Sequence, residues 1–526
     1  MAIPKDSVYL GYLARGLSVR RALESHDDQM ANSKPVHENI ILVIILVAVL
    51  MAAVDSTIVL LAFPAIVSSL HSNLATIIWV ILIYMLISAV ATTQFGKVGD
   101  IYGRAKIFIG GLAVFTIASF LCGIAPTDVM LIIFRALQGL GGAMVSATSG
   151  AIIADTFEKH RIGRAFGFTA MAYNVGAILG IVLGGIITTF IGWQYIFFIN
   201  VPIGIVALAL SIKYISDKQT FAAKLDLAGM ATLAVALSLL LYGGIGYAST
   251  GTGMLNSAMV LLGAGLLIAF YFMEKRVESP TIPLDMFANR VFRNSIFAAF
   301  LQGLDFLGVV FMLIMYLQGV RGFTPFYASI LLVPGYVVSG VLAPFMGRAS
   351  DKHGARVVAT IGIALQITGV AVYLVFLNAS TSIYVVVLGS LITGAGGAMF
   401  WPANSSAVMA NAEQRRFGIA SGLSRLFSTM GMMGSFIIVF VVSAFSISRA
   451  QAFQIFVGTS AKLGGTVANA FITGMRGSFV AMIVILAVAG IISLARGKED
   501  RRSRPQDAQR IAKDPTEEPY AEEPPQ

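Results

Sequence analysis

Four charged side chains lie inside long apolar runs of this sequence, where a charge could do chemistry. They are Asp55, Arg135, Asp305 and Arg425. A charged group at membrane depth costs about 3 kcal/mol or more unless a partner or water meets it. A carboxyl group there can take up and release a proton or bind a cation, whereas an arginine stays charged and needs an acceptor. We therefore interpret these four residues as candidates for proton coupling and substrate binding.

Each of these residues also has a purely structural interpretation. Neighbouring hydroxyl groups could hold Asp55 as a helix-packing contact, and Arg135 could extend its head group to the membrane surface. Asp305 and Arg425 could form an ion pair across helices, or they could line a cavity separately. The position that corresponds to Arg135 in the second half of the chain is Ser390. This asymmetry favours a functional role for Arg135 over a purely structural one.

Two short polar loops of the same pattern connect apolar runs. Each reads Gly, three residues, Asp, two residues, Gly, and then a basic residue at once or one place later. The loops contain Gly96, Asp100, Gly103 and Arg104 in the first copy, and Gly347, Asp351, Gly354 and Arg356 in the second. A glycine-rich segment follows each loop at a similar distance, at 137–144 and at 394–399. The repeated order predicts a long internal duplication.

The composition places the chain in a membrane. Of its 526 residues, 57% are hydrophobic and 12% are charged, and apolar runs recur from end to end. A helix of roughly 20 apolar residues crosses about 30 Å of hydrocarbon. The net charge of +10 comes from basic residues in alternate loops, so it indicates cytoplasmic loops and not nucleic-acid binding. We expect a multi-pass protein of the cell membrane with both termini in the cytoplasm.

The apolar runs predict an all-α polytopic protein with about fourteen transmembrane helices. The predicted segments are a cytoplasmic tail at 1–38, a six-helix bundle at 39–215, two linking transmembrane helices at 216–274, a cytoplasmic loop at 275–292, a second six-helix bundle at 293–496 with a long outer loop at 446–475, and a disordered cytoplasmic tail at 497–526. Because the two linking helices carry few polar residues, we expect them to face lipid while they join the halves.

Several kinds of chemistry find no support in the sequence. No G-x-x-x-x-G-K-[ST] motif occurs, so neither ATP hydrolysis by a P-loop nor an ATPase partner is implied. The five histidines lie in tails or loops and Cys122 is the single cysteine, which argues against a buried metal or haem site. We expect no cofactor and no enzymatic activity, since no clustered nucleophile or metal set is apparent.

Glycines cluster in the fifth apolar run at near-regular spacing. They are Gly176, Gly180, Gly184 and Gly185. Residues four apart share one face of a helix, and small residues there allow close backbone approach. The pattern predicts close helix packing, and a hinge is the alternative.

These motifs resemble those of the major facilitator superfamily, specifically its fourteen-helix drug:proton antiporter branch, over residues 39–496. The polar loops are similar to the family's signature between the second and third helices of each half. Further similarities are Asp55 with Thr57 and Pro64 in the first helix, Arg135 with Leu131, Gln138, Gly139 and Gly141 in the fourth, and residues 193–204 in the sixth. One motif differs: the fifth-helix Gly-Pro of exporters is Gly180-Ile181 here, which leaves the direction of transport open.

The resemblance implies two bundles around a central cavity that opens alternately to each side of the membrane. The glycines, acidic residues and basic residues of the two polar loops would act as conformational latches. The implied activity is export of small lipophilic, cationic compounds, driven by proton entry. Membrane lipid would surround the protein. A lipid, glycolipid or metabolite exporter of the same family, or a transporter-like receptor, is the alternative.

Overall fold

The computed structural model describes residues 6–72, 74–157, 159–217, 225–250, 253–278, 280–412, 416–446 and 465–497. In these residues fourteen helices are long and apolar enough to cross a membrane, which confirms the all-α polytopic fold. They are α1 Asp6–Ser69, with Glu38–Ser69 as its apolar part, α2 Trp79–Tyr102, α3 Arg104–Gly123, α4 Asp128–Thr156, α5 Lys159–Phe190, α6 Asn200–Tyr214, whose membrane span begins at Tyr195, α7 Leu227–Thr250, α8 Met254–Glu274, α9 Arg290–Met315, α10 Pro325–His353, α11 Ala355–Phe376, α12 Ile383–Ala410, α13 Phe417–Ser446 and α14 Gly465–Leu494. The predicted tail beyond residue 497 lies outside the described residues.

The last helix begins earlier than the sequence predicted. We expected an outer loop through residue 475, but α14 already begins at Gly465. Arg476 suggested the start of a span because a cation usually marks the membrane surface. In the structure its Nη2 donates to the carbonyl oxygen of Leu377 at 3.2 Å, so the arginine is accommodated within the helix. Residues 447–464 of the expected loop lie outside the described part of the chain.

The two halves of the chain pack their helices in the same pairs. In the first half α1 packs on α5, and α4 packs on both α2 and α3. In the second half α9 packs on α13, and α12 packs on both α10 and α11. The halves meet along two seams, one between α2 and α13 and the other between α5 and α10. This equivalence is what an internal duplication produces.

The two linking helices are placed against one of these seams. α7 packs on both α2 and α13. The rings of Trp79 on α2 and Tyr242 on α7 lie 6.1 Å apart, and a Cβ atom on Gly244 of α7 would lie 2.8 Å from Ile437 on α13. α8 packs on α7, and its Leu261 and other large apolar side chains are exposed, as expected of a helix that faces lipid. The pair therefore covers the α2–α13 seam in addition to joining the halves.

The two polar loops form equivalent turns on one face of the membrane, here called the polar-loop face. Gly103 and Gly354 each end one helix and begin the next, with φ values of +111° and +95°. Their backbone N–H groups donate to the carbonyl oxygens of Gly99 (2.9 Å) and Ser350 (2.8 Å). Because side chains are strongly disfavoured at such φ values, glycine is required at both positions.

The turn at Gly103 gives a testable prediction for stability. Besides the positive φ, a Cβ atom on Gly103 would lie 2.5 Å from Cγ of Asp217, whose carboxylate accepts a hydrogen bond from the N–H group of Ala105 at 2.7 Å. We expect Gly103→Ala to lower the free energy of unfolding by about 1–3 kcal/mol. The measurement is the thermal unfolding midpoint of the purified protein in detergent.

Gly96 provides the matched control, because it lies in the same loop pattern but within α2, and nothing lies within 4 Å of a Cβ atom added to it. Gly96→Ala should change stability by less than about 0.5 kcal/mol. Equal effects of the two substitutions would contradict the account of the turn.

Candidate functional site

A buried ion pair joins α1 and α4 inside the first half. Arg135 Nη1 lies 2.6 Å from Asp55 Oδ2, and the two side chains are 1% and 0% exposed. Arg135 Nε also donates to the carbonyl oxygen of Val80 on α2 at 2.9 Å. Each charge has therefore found its partner in the other, which the sequence had not predicted. The two residues are 80 positions apart, and the packing of α1 and α4 brings them together.

Three further polar side chains complete what we call the Asp55 network, which consists of Asp55, Arg135, Gln138, Asn200 and Ser119. Gln138 Nε2 donates to Asp55 Oδ1 and to Ser119 Oγ, both at 2.8 Å. Gln138 Oε1 accepts from Arg135 Nη1 at 2.8 Å, and Asn200 Nδ2 donates to Asp55 Oδ1 at 3.3 Å. Because Gln138 follows Arg135 by three residues, both side chains lie on one face of α4. All five residues are buried.

Aromatic rings enclose the guanidinium group of the Asp55 network. Arg135 Cζ lies 4.1 Å from the ring centre of Tyr84 and 5.7 Å from that of Phe197. A cation over an aromatic face is stabilised by the ring quadrupole, by about 2 kcal/mol where water is excluded. The two rings thus stabilise the buried charge of Arg135.

The two charged candidates of the second half do not pair with each other. Arg425 on α13 places its Cζ 4.9 Å from the ring centre of Tyr173 on α5, across the boundary between the halves. Asp305 on α9 is 5% exposed, and its Oδ1 makes no hydrogen bond to any residue that the structure describes. The same holds for Gln302 Nε2, one turn earlier on α9. The structure thus does not show the ion pair between Asp305 and Arg425, and the interpretation that each lines a cavity separately stays a prediction.

The four clustered glycines mark close helix contacts. Added Cβ atoms on Gly176, Gly180 and Gly184 would lie 2.6–2.7 Å from backbone carbonyl oxygens of α1, at Leu50, Val54 and Ile58. The first three glycines therefore hold α5 against α1 on both sides of Asp55. Gly185 instead faces α10, where its Cβ atom would lie 2.8 Å from the carbonyl oxygen of Pro325. That contact belongs to the α5–α10 seam.

The first polar loop contains a three-residue ion cluster. Arg104 Nη2 lies 2.7 Å from Asp100 Oδ1, and its Nη1 contacts both carboxylate oxygens of Asp155 at 2.7 and 2.8 Å. Asp155, near the end of α4, was not among the predicted residues. In the second loop Asp351 lies in the last turn of α10 and Arg356 in the first turn of α11, both exposed.

The first glycine of each loop has no close contact. An added Cβ atom on Gly96 would find nothing within 4 Å, and one on Gly347 would find only Pro402 Cβ at 3.9 Å. The second glycines, Gly103 and Gly354, are instead the ones with a positive φ, and a Cβ atom on Gly103 would also meet the Asp217 carboxylate. The latch roles of Gly96 and Gly347 stay predictions.

Some residues of the site had a sequence signal and others did not. Gln138 and Asn200 stand in the motifs that carry the family resemblance, and an amide inside an apolar run is itself unusual. Tyr84 and Ser119 are ordinary residues of membrane helices, so only the packing reveals them. Among the described residues, no three His, Cys, Asp or Glu side chains come together in a way that could hold a metal ion.

Comparison with known proteins places this geometry in a family. The model of the Major Facilitator Superfamily matches residues 45–436 and 296–521. Multidrug resistance protein 3 of Bacillus subtilis (strain 168) is 31% identical over 393 residues, which cover 74% of this chain and 76% of that protein. The riboflavin transporter RibZ of Clostridioides difficile (strain 630) is 30% identical over 383 residues, covering 72% of this chain and 82% of that protein.

A solved structure has the same fold. A bacterial homologue of the human lysosomal transporter Spinster superposes with a TM-score of 0.63 at 16% sequence identity. The match covers 88% of this chain and 97% of the other.

Proposed function

This chain belongs to the Major Facilitator Superfamily, and we propose that it exports lipophilic, cationic compounds across the plasma membrane in exchange for protons. In this proposal the polar-loop face, where the basic residues gather, is the cytoplasmic side. The multidrug resistance protein among the relatives supports the substrate class. A transporter of this family carries small molecules by itself, so neither an enzyme activity nor an ATPase partner is part of the proposal.

The observation that carries the proposal is the Asp55–Arg135 pair. A proton on Asp55 would remove the negative charge at Oδ2, while Arg135 would stay charged and would have to rely on Val80 and Gln138 as acceptors. The pair joins α1 to α4, and α1 is packed along α5. Protonation therefore weakens a contact between helices that must move for the cavity to change sides. By linkage, the conformation in turn changes the affinity of Asp55 for its proton.

Asp305 is the proposed contact for a cationic substrate. Its carboxyl group is buried in the second half, and no arginine or lysine compensates it among the described residues within ion-pair distance. A cationic substrate would supply the missing partner, and its apolar part would contact the surrounding side chains. The proton and the substrate would then occupy different halves and would be coupled through the movement of the helices.

The test is uptake of ethidium into vesicles that carry the purified protein, with an imposed pH gradient. Gradient-driven uptake supports the proposal, and its absence with folded protein contradicts the substrate class. We expect Asp305→Asn to raise the KM for ethidium by at least about tenfold, because a charge-assisted contact contributes about 1.5–3 kcal/mol. Transport of a neutral lipophilic substrate should be unaffected. An unchanged KM for ethidium would remove Asp305 from the substrate site.

A metabolite exporter is the second candidate, because a riboflavin transporter is among the relatives. Riboflavin is not a lipophilic cation, so it should not depend on Asp305 for charge compensation. The same vesicles distinguish the two functions. Uptake of riboflavin without uptake of ethidium would favour the metabolite exporter.

A further inference from the structure

The chain segment that follows α8 is tied to α2 by buried polar groups. The Thr281 hydroxyl accepts a hydrogen bond from Gln94 Nε2 and donates one to Asp226 Oδ2, both at 2.8 Å. Glu274 accepts hydrogen bonds from the N–H groups of Thr281 and Ile282 at 3.2 and 3.3 Å. Gln94, Asp226, Glu274 and Thr281 are each at most 5% exposed. Buried and charge-assisted bonds are costly to break, so this anchor holds the segment to α2.

A second contact strengthens the same anchor. Lys97 follows Gly96 in the first polar loop, and its Nζ donates to the carbonyl oxygen of Pro280 at 3.3 Å. Gln94 Oε1 also accepts from the N–H group of Asp226 at 3.1 Å, which brings the start of α7 into the same cluster. The anchor therefore includes α2, both linking helices and the segment itself.

The same segment is tied to the second half a few residues later. The ring of Phe287 packs on Phe292 of α9 (5.7 Å between ring centres) and on Phe427 of α13 (5.8 Å). Asp285 forms an ion pair with Arg416, directly before α13. Residues 280–287, here called the strap, thus connect α2 of the first half to α13 of the second half on the polar-loop face.

The strap is short between its two anchors. An extended chain spans about 3.3–3.6 Å per residue, so the four steps from Thr281 to Asp285 reach at most about 14 Å. Pro283 lies between the anchors, with φ fixed near −64°. While both anchors hold, α2 and the start of α13 cannot separate further than this length allows.

We propose that the strap limits separation of α2 and α13, so that opening on the polar-loop face pivots on this seam and the gap widens between α5 and α10. The placement of α7 over the α2–α13 seam agrees with a seam that stays together. The contacts described for the other seam include the ring pair Phe190 and Phe326 (5.4 Å) and the bond from Phe326 N to Thr189 Oγ1 (3.0 Å). These lie at the face opposite the polar loops.

The experiment measures distances between paired spin labels on single cysteines introduced in pairs. Tyr102 and Ile419, which are 62% and 44% exposed, report the strap seam, and the exposed residues Phe166 and Lys352 report the other seam. The native Cys122 is fully buried, so the labels go to the introduced residues. We expect a narrow distance distribution for the first pair and a broad one, which shifts when ethidium is added, for the second.

Lengthening the strap tests the cause. Four Gly/Ser residues inserted after Pro283 should extend the Tyr102–Ile419 distribution by up to about 14 Å. The same insertion after Gly253, an exposed residue before α8, should leave it unchanged. Thr281→Val should broaden the distribution and Thr281→Ser should not, because serine keeps the hydroxyl group.

Two results would overturn the proposal: a native strap seam as broad as the other seam, or a lengthened strap in folded protein that leaves the distribution unchanged. The proposal rests on the alternating opening in the proposed function, but not on its substrate or its ion. The distances without ethidium therefore stay informative if the vesicle assay finds no cation transport.

Discussion

Asp55→Asn should reduce proton-driven ethidium uptake to the level of empty vesicles. Asparagine keeps the shape of the side chain, but its single oxygen can accept from Arg135 or from Gln138 and not from both, and it cannot take up a proton. The variant therefore resembles the protonated state permanently and cannot cycle between states. Initial rates in vesicles with an imposed pH gradient provide the measurement. Binding of ethidium should persist, since the proposed substrate contact is Asp305.

Two substitutions serve as controls for Asp55→Asn. Asp55→Glu keeps a carboxyl group that can titrate and should retain part of the transport. Asp128→Asn makes the same chemical change at the start of α4, outside the Asp55 network, and should transport normally. If Asp55→Asn transported normally while Asp305→Asn lost the dependence on the pH gradient, the two carboxyl groups would have the opposite roles.

Arg135→Met should lower the free energy of unfolding by about 3–5 kcal/mol. The substitution removes the only ion-pair partner that the described residues give Asp55, and it leaves a buried carboxylate uncompensated. It also frees the carbonyl oxygen of Val80 and one face of the Tyr84 ring. Unfolding by SDS in mixed micelles measures the loss. Transport should disappear as well, because the contact between α1 and α4 is then independent of the proton.

The double variant Asp55→Asn/Arg135→Met separates the ion pair from general damage to the site. With both charges removed, the asparagine still accepts from Gln138 and Asn200, so part of the stability should return. The coupling between the two substitutions should lie at about 0.5–3 kcal/mol. Strictly additive effects, or a single Arg135→Met variant as stable as the native protein, would show that the pair does not stabilise the fold.

The sequence predicted the participants of this site better than their contacts. Asp55 and Arg135 could each be identified because a charge in an apolar run is rare. Their pairing could not, because it depends on which helices are neighbours, and an apolar run carries little information about the neighbour it packs on. The same limit applied to Asp305 and Arg425, for which pairing and separation were equally plausible until α13 was seen to place Arg425 on Tyr173.

The sequence was also a poor predictor of helix boundaries and of the contacts of the linking helices. The duplication could be predicted because the polar loops repeat a strict pattern, and the number of spans could be predicted because the apolar runs are long enough to cross a membrane. The predicted start of α14 was wrong because Arg476 lies inside the helix, whereas a cation in an apolar run usually marks the membrane surface. The two linking helices looked passive in the sequence, since the acidic residues of their contact with α2, Asp226 and Glu274, lie at their ends. Such contacts depend on Gln94 and Thr281, which belong to no motif that the sequence revealed.

The position of α7 also matters for molecules that arrive from the lipid phase. A lipophilic compound concentrates in the bilayer, so it would enter the interior of the protein laterally from lipid and not from water. α7 lies over the α2–α13 seam and separates this seam from the surrounding lipid. In the proposed function, a compound diffusing within the leaflet would then enter between the polar-loop ends of α5 and α10, because the close contact at Gly185 holds these helices together near the opposite face. Although the two halves of the protein are similar, substrate would thus enter from the lipid on only one side of the protein.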